Sequence, residues 1–547
     1  MSRDPSILDT RRRATTLRAA AAGDLDLVVV GAGVTGAGCA LDAAARGLRV
    51  ALVDAGDLAV GTSSRSGKTF HGGLRYLERL NFRLVSTALR ERDLMVNVLC
   101  PHLTRPERFL YPLTRRWERG YAGAGIALYD LMALRGRAVP GHRHLTRAGA
   151  LREAPALDPA AITGAIQFSD VRVDDARHTM TLARTAARHG AYVLPRADVV
   201  AFAKDGDRVV GVTVQDADTG ARHELAARAV INATGVWADR LQQLAGAQTF
   251  AVRPAKGVHL VVPGDRIDAD TGILARAEDS TVVARRWWDH WIIGTTDTPW
   301  TGPLTAPVTT DADIEYLLRN LNRLLRTTVR RSDIVGTYAG LRPLLAPAGR
   351  DPATTSALSR DHAVIPGPDG LVTIVGGKYT TYRPMAADAV DAATRWLGRD
   401  VPASSTAALS LVGAAGLTTA QRRDLAGQHR LSAAEVDRLA GRYGDRTPEV
   451  LAPARTDPAL ARPVAGAPGY LGAEYVYAVA AEGAMTLEDV LTRRTHVAME
   501  VPDGGASAAP AVAALIGAAL GWDRAERARQ VRSYVASLTA ERAALTG

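Results

Sequence analysis

The distribution of apolar residues near the start of the chain predicts a strand, a helix and a second strand. Leu25–Val30 is a short run rich in valine, which is typical of a parallel strand that is buried on both faces. A helical pattern follows through Arg46, and Leu48–Val53 forms a second apolar run that ends at Asp54. The three elements together predict one compact β-α-β unit.

The glycines between this strand and helix predict a dinucleotide-binding site. In Gly31-Ala32-Gly33-Val34-Thr35-Gly36, the first glycine permits a tight turn, the second lets the backbone approach a pyrophosphate, and Gly36 lets helix and strand pack closely. The helix N-terminus then offers free N–H donors to the phosphates. Asp54 stands near the ~20-residue offset of an acid that binds an adenosine ribose, although a surface turn is the alternative. The motif alone does not separate NAD from FAD.

Two polar, glycine-containing stretches follow the β-α-β unit. Gly61–Lys68 is rich in hydroxyl groups and favours FAD, because it can line a pyrophosphate or a flavin ring; a flexible surface loop is the alternative. Phe70–Glu78 places an imidazole, a guanidinium and a phenol beside two glycines. A turn with a solvated histidine is the alternative there. The residues of interest in these stretches are Thr62, Ser63, Ser66, Lys68, His71, Gly72, Gly73, Arg75 and Tyr76.

The rest of the pattern predicts alternating strands and helices, and then helices alone. Residues from Asn81 to about Ala138 have a helical pattern with many arginines. Mixed strands from Ala251 to Leu345 predict an antiparallel sheet that forms one wall of a pocket. Other predicted strands are Gln167–Val173, Ala191–Val200, Leu371–Val375 and the hairpin of Val209–Val214 with Glu224–Ile231; predicted helices are Asp175–His189, Met385–Leu397 and, beyond a linker at Val401–Ala407, those of the C-terminal part.

Two apolar stretches have alternative interpretations. Trp287, Trp288 and Trp291 are expected to pack in a sheet rather than to stack on nucleic-acid bases, since no RNA-binding signature accompanies them. Gly504–Trp522 has the length of a membrane span, but its few large apolar residues fall on one side of a helix. We therefore predict a short amphipathic helix for it.

Composition and charge narrow the class of protein. The 547 residues, 47% hydrophobic and 23% charged, predict a soluble protein of two or three domains. Cys39 and Cys100 are the sole cysteines, which excludes a disulfide framework, suits a reducing compartment and leaves no cluster with zinc spacing. The net charge of +10 would suit nucleic acid, an anionic membrane or an anionic substrate, and we assign most of it to solvated arginines.

These segments together resemble the FAD-dependent glycerol-3-phosphate dehydrogenase family within the D-amino-acid-oxidase-like flavoproteins. The resemblance extends from Leu25 to about Ser537. The chain departs from it at Asp54, where the family more often has glutamate, and at Ser66-Gly67-Lys68, which replaces a more serine-rich run. The matching motifs are GAGVTG at Gly31, HGGLRYLE at His71, the segments 170–177, 293–297, 338–343 and 359–361, INATG at Ile231 and GGKYTTYR at Gly376.

The predicted fold is α/β, with a Rossmann-like FAD-binding domain, an antiparallel-sheet substrate domain and an all-α C-terminal domain. We predict a loose N-terminal arm at 1–24, an oxidoreductase region at 25–400 and a helical domain at 401–547. Within the oxidoreductase region, the FAD-binding parts are expected at about 25–100, 170–250 and 345–400, and the substrate parts at about 101–169 and 251–344.

The resemblance implies oxidation of sn-glycerol 3-phosphate to dihydroxyacetone phosphate by hydride transfer to FAD, with electrons passed to a quinone. The alternatives are an oxidase that reduces oxygen to hydrogen peroxide, and a non-catalytic, basic RNA- or membrane-binding protein on a flavin scaffold. A homodimer in the cytoplasm is expected, without nucleic acid; peripheral attachment to the inner face of the membrane stays open.

The resemblance also implies the roles of particular residues. His71 and His259 are candidate bases, and Arg342 is a further candidate that polarises the hydroxyl; no metal is expected. The phosphate is expected to contact Arg75, Tyr76, Arg342, Arg360 and Lys378. The residues expected to contact FAD are Gly31, Gly33, Gly36, Asp54, Thr62, Ser63, Ser66, Lys68, His71, Gly72, Ala233, Thr234, Gly235, Gly376, Gly377, Lys378, Thr380 and Thr381.

Overall fold

The computed structural model describes residues 4–77, 80–133, 136, 138–247, 249–277, 280–347 and 361–543. The strands of this part of the chain are β1 Leu25–Val30, β2 Val50–Val53, β3 Thr69–Phe70, β4 Thr104–Leu113, β5 Arg143–Thr146, β6 Gly164–Val173, β7 Tyr192–Leu194, β8 Ala197–Asp205, β9 Arg208–Asp216, β10 Arg222–Asn232, β11 Phe250–Pro263, β12 Gly272–Arg276, β13 Thr281–Trp287, β14 His290–Gly294, β15 Thr298–Pro299, β16 Gly336–Pro347, β17 His362–Pro366, β18 Leu371–Gly376, β19 Pro463–Val464 and β20 Ala467–Leu471.

Helices cover both sheets and form most of the C-terminal part. The α-helices of the described residues are α1 Arg13–Ala21, α2 Val34–Ala45, α3 Phe82–Leu94, α4 Glu118–Met132, α5 Arg147–Glu153, α6 Asp175–Arg188, α7 Ala238–Leu244, α8 Asp311–Asn322, α9 Tyr382–Thr394, α10 Thr419–His429, α11 Ala433–Tyr443, α12 Thr447–Leu451, α13 Gly472–Ala481, α14 Leu487–Asp489, α15 Val497–Glu500, α16 Ala509–Leu520 and α17 Arg524–Ala543.

The first sheet is a Rossmann-like parallel sheet in the order β17-β18-β10-β1-β2-β7, with β17 antiparallel at the edge. Successive residues of β1 point to opposite faces, and both faces are buried. Leu27 and Val29 pack with α2, α6 and α9, whereas Val28 and Val30 pack with α1 and the β8–β9 hairpin. This two-sided burial explains why β1 has no polar alternation.

The second sheet has ten strands and is mainly antiparallel. Its order is β15-β11-β14-β13-β12-β4-β6-β3, with β16 paired along β11 and β5 along β6; β12 and β4 are parallel. One face packs on α5 and α8 through an apolar core. The C-terminal part is helical apart from the short β19–β20 hairpin. The predicted fold class is therefore confirmed.

Several local predictions are also confirmed. Strands β9 and β10 form the predicted hairpin, Trp287 and Trp291 are buried, and Ser432 with Glu435 forms the capping box of α11. The predicted amphipathic helix at Gly504–Trp522 contains α16. No helix among the described residues is long and apolar enough to cross a membrane.

Three predictions are wrong. The expected loose N-terminal arm contains α1, whose Leu17 is buried against the first sheet. The expected helical stretch after Asn81 contains β4, whose ten residues pair with β6. The first half of β4 is mostly exposed and includes Arg105 and Arg108, which hid the strand pattern. The single strand expected at Ala191–Val200 is split into β7 and β8 at Arg196, whose positive φ of 60° turns the chain.

Candidate functional site

A cavity of about 830 Å³ lies where the two sheets meet. Residues at the ends of β1, β2, β10 and β18 line one side, and residues of β11, β14 and β16 line the other. In a parallel sheet, the carboxyl ends of the strands are the usual place for a bound nucleotide. The volume of this cavity is within the range of binding sites for cofactors and substrates.

The glycine turn after β1 is shaped by close backbone contacts. Gly31 has φ +102°, and a Cβ there would lie 2.7 Å from the carbonyl oxygen of Ala233. A Cβ on Gly36 would lie 1.8 Å from the carbonyl oxygen of Gly31. Gly33 occupies the N-cap of α2 and lines the cavity, while the Val34 N–H donates to Ser63 Oγ at 2.8 Å. The turn thus leaves space for a ligand at a helix N-terminus.

Asp54 lines the cavity at the end of β2. Its carboxylate accepts hydrogen bonds from the backbone N–H groups of Ala32 at 2.6 Å and Gly56 at 2.8 Å. Burial raises the pKa of Asp54 to about 6, although these two donors favour the ionised form. Asp54 is therefore held in place and is mostly ionised at neutral pH.

The segment from His71 to Tyr76 enters the cavity from another side. The His71 N–H donates to Thr380 Oγ1 at 3.2 Å, and the Gly72 N–H donates to the Tyr129 hydroxyl at 2.8 Å. His71, Gly73 and Tyr76 line the cavity. Gly72 lies against Tyr129 instead, and a Cβ there would be 2.4 Å from the Tyr129 oxygen. Of the two glycines expected to approach the flavin, Gly73 lines the cavity and Gly72 does not.

Two cations occupy the same cavity. Arg342 on β16 forms an ion pair with Asp297 at 3.1 Å and donates to Thr295 Oγ1 at 3.2 Å. Lys378 Nζ lies 3.2 Å from the centre of the Tyr76 ring. The Arg342 side chain is 25% exposed and forms part of the cavity wall. The arrangement can bind an anionic group.

His259 on β11 lines the cavity and stacks on Tyr338, with ring centres 4.7 Å apart. Burial lowers the pKa of His259 to about 3, and the charges of Arg342, Lys68 and Arg285 add to this effect. The imidazole is therefore neutral at physiological pH. With so low a pKa, it is a weak base.

Some predicted residues do not reach the cavity. Lys68, expected to contact the cofactor, is fully buried, pairs with Asp175 at 2.7 Å and does not line the cavity. Thr380 and Thr381 are buried behind the residues that line the cavity, and Thr380 donates to the His71 carbonyl. Gly36 packs against Gly31 and does not line the cavity. The Arg75 side chain and the whole of Arg360 lie outside the described residues.

The other predicted site residues meet in one place. The cavity is lined by Gly31, Gly33, Asp54, Thr62, Ser63, Ser66, His71, Tyr76, Ala233, Thr234, Gly235, His259, Arg342, Gly376, Gly377 and Lys378. No cluster of three or more possible metal ligands is found in the described ranges. These residues come from distant parts of the chain, and the folding of both sheets brings them together.

Sequence reasoning missed several residues of the cavity wall. Arg285 lines the cavity and donates to Thr69 Oγ1 at 2.8 Å, and Asp170 accepts from the Tyr129 hydroxyl at 2.7 Å. Glu488, from the C-terminal part, lines it as well. Asp170 stands in a motif of the resemblance, which was its one available signal. Arg285 stands next to exposed Arg286 in β13, and the local sequence does not show which of the two arginines faces the cavity.

The fold and the cavity define a flavin-dependent oxidoreductase. Residues 26–383 match the family model described as FAD dependent oxidoreductase, and residues 404–527 match the C-terminal domain of alpha-glycerophosphate oxidase. The chain is 50% identical over 538 residues to Glycerol-3-phosphate dehydrogenase 2 of Mycobacterium tuberculosis (strain ATCC 25618 / H37Rv), covering 98% of this chain and 91% of the relative. It therefore belongs to the FAD-dependent glycerol-3-phosphate dehydrogenase family, which confirms the resemblance.

More distant relatives agree with this placement. Human mitochondrial glycerol-3-phosphate dehydrogenase is 34% identical, covering 93% of this chain and 72% of the relative. The X-ray structure of glycerol-3-phosphate dehydrogenase from Bacillus halodurans complexed with FAD is 28% identical with a TM-score of 0.78, covering 97% of this chain and 98% of that chain. FAD is thereby confirmed as the predicted cofactor.

The residues present fit FAD. The close approach at Gly31 and Gly33 leaves the N-terminus of α2 open to a pyrophosphate, and Asp54 offers a carboxylate to ribose hydroxyls. The cavity continues from this turn to His71 and Arg342, so one molecule can extend from the nucleotide end to the cations. When bound, FAD supplies a hydride acceptor.

We expect FAD affinity to fall at acidic pH. Asp54 has a raised pKa of about 6 because it is buried, and ribose hydroxyls can donate to both of its oxygens while it is ionised. Below that pH, binding must release a proton, so the Kd should rise by up to about tenfold per pH unit; above it, the Kd should be constant. Fluorescence titration of the apoprotein with FAD measures this. Asp54→Asn should bind weakly without this pH dependence, and a flat wild-type profile would contradict the assignment.

Proposed function

We propose that this protein oxidises sn-glycerol 3-phosphate to dihydroxyacetone phosphate, with FAD as the hydride acceptor. The observation that carries the proposal is the position of Arg342, which Asp297 orients inside the cavity that the glycine turn opens. A phosphorylated alcohol needs such a fixed cation near the flavin. The 50% identity to a glycerol-3-phosphate dehydrogenase supports the same substrate.

In this proposal the cations hold the substrate phosphate. Arg342 and Lys378 supply charge from opposite sides of the cavity, and Tyr76 supplies a hydroxyl donor. Arg75 and Arg360 complete the proposed set. A guanidinium makes two parallel hydrogen bonds to a phosphate, which orients the substrate as well as binding it. The carbinol carbon would then lie towards the His71 side.

His71 and His259 are the proposed acceptors of the hydroxyl proton. The low pKa of His259, about 3, is unfavourable for a base. A bound phosphate dianion would raise it, because the negative charge offsets the nearby cations. His71 lines the cavity without being fully buried. We therefore propose His71 as the first candidate and His259 as the second.

An anaerobic titration tests the proposed reaction. Glycerol 3-phosphate should bleach the flavin absorbance of the purified protein, whereas glycerol without a phosphate should not. Bleaching by other phosphorylated alcohols at equal rates would contradict the substrate. A purified protein without flavin absorbance would instead support the non-catalytic alternative.

We also propose that a quinone accepts the electrons and that the protein binds a membrane surface, where it reaches the quinone. Helix α4 exposes an apolar stripe at the spacing of one helix face, formed by Trp117, Tyr121, Leu128 and Leu131, which are 36–62% exposed. Leu80 and Phe82, at the start of the adjacent α3, are exposed as well. A surface helix normally directs such a stripe inwards.

Charge complementarity favours an anionic lipid surface for this stripe. Exposed Arg115 and Arg116 immediately precede α4. Aromatic and leucine side chains beside arginines are typical of helices that lie in the membrane interface. The quinone pool of a membrane would then be close to the protein. The predicted homodimer stays a prediction.

Leu131→Glu should weaken binding to vesicles that contain anionic lipid by about tenfold, because it removes apolar burial and adds repulsion. Leu131 is 62% exposed, so the fold should tolerate the change. Leu244→Glu is the matched control, since Leu244 is 37% exposed on α7. Co-sedimentation with vesicles measures binding. Equal binding of both variants and the wild type would contradict the surface.

Timed reoxidation separates the quinone from oxygen. After anaerobic reduction by substrate, a soluble quinone analogue should restore flavin absorbance faster than air-saturated buffer does. Faster recovery in air, with hydrogen peroxide formed, would favour the oxidase. The fold does not decide this point, because L-alpha-Glycerophosphate Oxidase from Mycoplasma pneumoniae shares it with a TM-score of 0.55 at 17% identity.

A further inference from the structure

The loop after β2 is held by charges from the C-terminal part of the chain. Asp57 is buried in this loop and binds two arginines that follow α14. Arg493 Nε lies 2.6 Å from Asp57 Oδ2, and Arg494 donates to both carboxylate oxygens at 2.5 and 2.6 Å. We call Asp57, Arg493 and Arg494 the arginine clamp.

The clamped loop is the part of the chain that lines the nucleotide end of the cavity. Asp54, Gly56, Gly61 and Ser63 all line it, while Asp57 between them points the other way. The Ala59 N–H donates to the carbonyl of Ala32 at 3.0 Å, which ties the loop to the glycine turn. A displacement of Asp57 would therefore be transmitted to the carboxylate of Asp54 and to the hydroxyl of Ser63.

Both arginines of the clamp also bind acceptors other than Asp57. Arg493 pairs with Asp489 at 2.5 Å, and Arg494 donates to the carbonyl of Glu482 at 2.9 Å. The Glu482 carboxylate in turn pairs with Arg177 of α6 at 2.6 Å. Burial disfavours the charge of Asp57, but Arg494 and Arg493 outweigh this and lower its pKa. The clamp thus stays ionised, and a buried, fully paired cluster of this kind is rigid.

A second contact secures the far end of the same connection. His496 Nε2 lies 2.8 Å from Asp174, which caps the N-terminus of α6. The next residue, Asp175, accepts from the Ser66 hydroxyl at 2.7 Å and pairs with Lys68 at 2.7 Å. The C-terminal part therefore contacts the start of the β2–β3 connection directly, at Asp57, and its far end indirectly, through the N-terminus of α6.

We propose that the C-terminal part retains FAD, with Arg493 and Arg494 as positioning residues that hold the Asp54–Ser63 loop in its cofactor-binding conformation. Neither arginine lines the cavity, so they act through Asp57. A loop that is ordered before binding loses less entropy when the ligand arrives, which raises affinity. The inference rests on the placement of FAD in this cavity, and it does not depend on the identity of the substrate.

Titration of the full-length apoprotein with FAD tests the clamp. Arg494→Lys keeps the charge but loses the two-point contact with Asp57. We expect its Kd for FAD and its rate of FAD release to rise about tenfold or more. Asp57→Asn should have at least the same effect. Hydrogen exchange of amides 56–62 in the apoprotein should also become faster in both variants.

Arg184→Lys is the matched control. Arg184 is a buried arginine of α6 that also contacts the C-terminal part, through the Tyr477 hydroxyl at 3.0 Å and the Glu482 carboxylate at 3.6 Å. It does not touch the loop, and lysine keeps its charge beside Glu482. Its Kd for FAD should stay within about twofold of wild type. The melting temperatures of the apoproteins show whether the variants are equally folded, and Arg494→Lys decides the question if Asp57→Asn does not fold.

A folded Arg494→Lys variant with wild-type FAD affinity and release would overturn the clamp. Equal weakening of FAD binding in Arg184→Lys would also overturn it, because the effect would then belong to domain packing in general. A wild-type protein that binds FAD but does not oxidise glycerol 3-phosphate would refute the proposed function and leave the clamp standing. A wild-type protein that does not bind FAD would refute both.

Discussion

Replacement of Arg342 by alanine should lower kcat/KM for glycerol 3-phosphate by about two to three orders of magnitude. The guanidinium is oriented by Asp297 at 3.1 Å and Thr295 at 3.2 Å, so little entropy is lost when a phosphate binds. Without it, the substrate dianion would lose a two-point contact in a partly buried site. Steady-state kinetics with glycerol 3-phosphate measure the effect.

Two variants control this experiment. Arg342→Lys retains a charge but not the planar fork, so it should recover part of the lost kcat/KM. Arg253→Ala removes an exposed arginine from β11, opposite Leu344 of the same strand pair, and should leave kcat/KM unchanged. Flavin absorbance should be normal in all three proteins. An unchanged kcat/KM in Arg342→Ala would show that the phosphate binds elsewhere.

Gly36→Ala should lower FAD affinity by about a hundredfold, the second large effect that the structure predicts. The new Cβ would lie 1.8 Å from the carbonyl oxygen of Gly31 and 3.3 Å from the Ala233 Cβ. Since backbone atoms occupy this space, α2 must move away from β1. The N–H groups at its N-terminus would then leave the place where the pyrophosphate is expected. Alanine's better helix propensity, about 1 kcal/mol, does not offset this displacement.

The flavin content of the purified variant and titration of its apoprotein with FAD measure the effect. Gly427→Ala is the matched control, because Gly427 lies in α10 with no atom within 4 Å of its added Cβ. It should bind FAD normally and be slightly more stable. Normal flavin content in Gly36→Ala would mean that the close packing of helix and strand is not needed for the site.

The sequence predicted best those features that depend on neighbouring residues. The turn from Gly31 to Gly36 and the acid at Asp54 lie in one β-α-β unit, where strand burial, glycine conformation and helix capping act locally. The hairpin of β9 and β10 and the capping box of α11 are local in the same sense. Short-range physics therefore determined these elements and a dinucleotide-binding site, and the family resemblance identified the dinucleotide as FAD.

Side-chain direction in irregular segments was decided by tertiary contacts. The sequence predicts a contact between Lys68 and FAD, because Lys68 ends a hydroxyl-rich loop that can line a pyrophosphate or a flavin ring. It turns away to Asp175, which is 107 residues distant and supplies the only charge that compensates it as an ion pair among the described contacts. Gly72 likewise faces Tyr129 rather than the cavity. A loop has no regular alternation of buried and exposed positions, so its sequence does not determine which side chains point inwards.

The sequence by itself thus determined the Rossmann-like unit, the dinucleotide-binding fingerprint and the polar segments from which the site is built. Tertiary structure alone decided that Arg342 faces the glycine turn, that α1 packs on the first sheet, and that Arg494 reaches Asp57 across 437 residues. The reason is physical. Helix and strand propensity depends on residues a few positions apart. The cost of desolvating a buried charge, in contrast, is offset only by a partner that the completed fold brings to it.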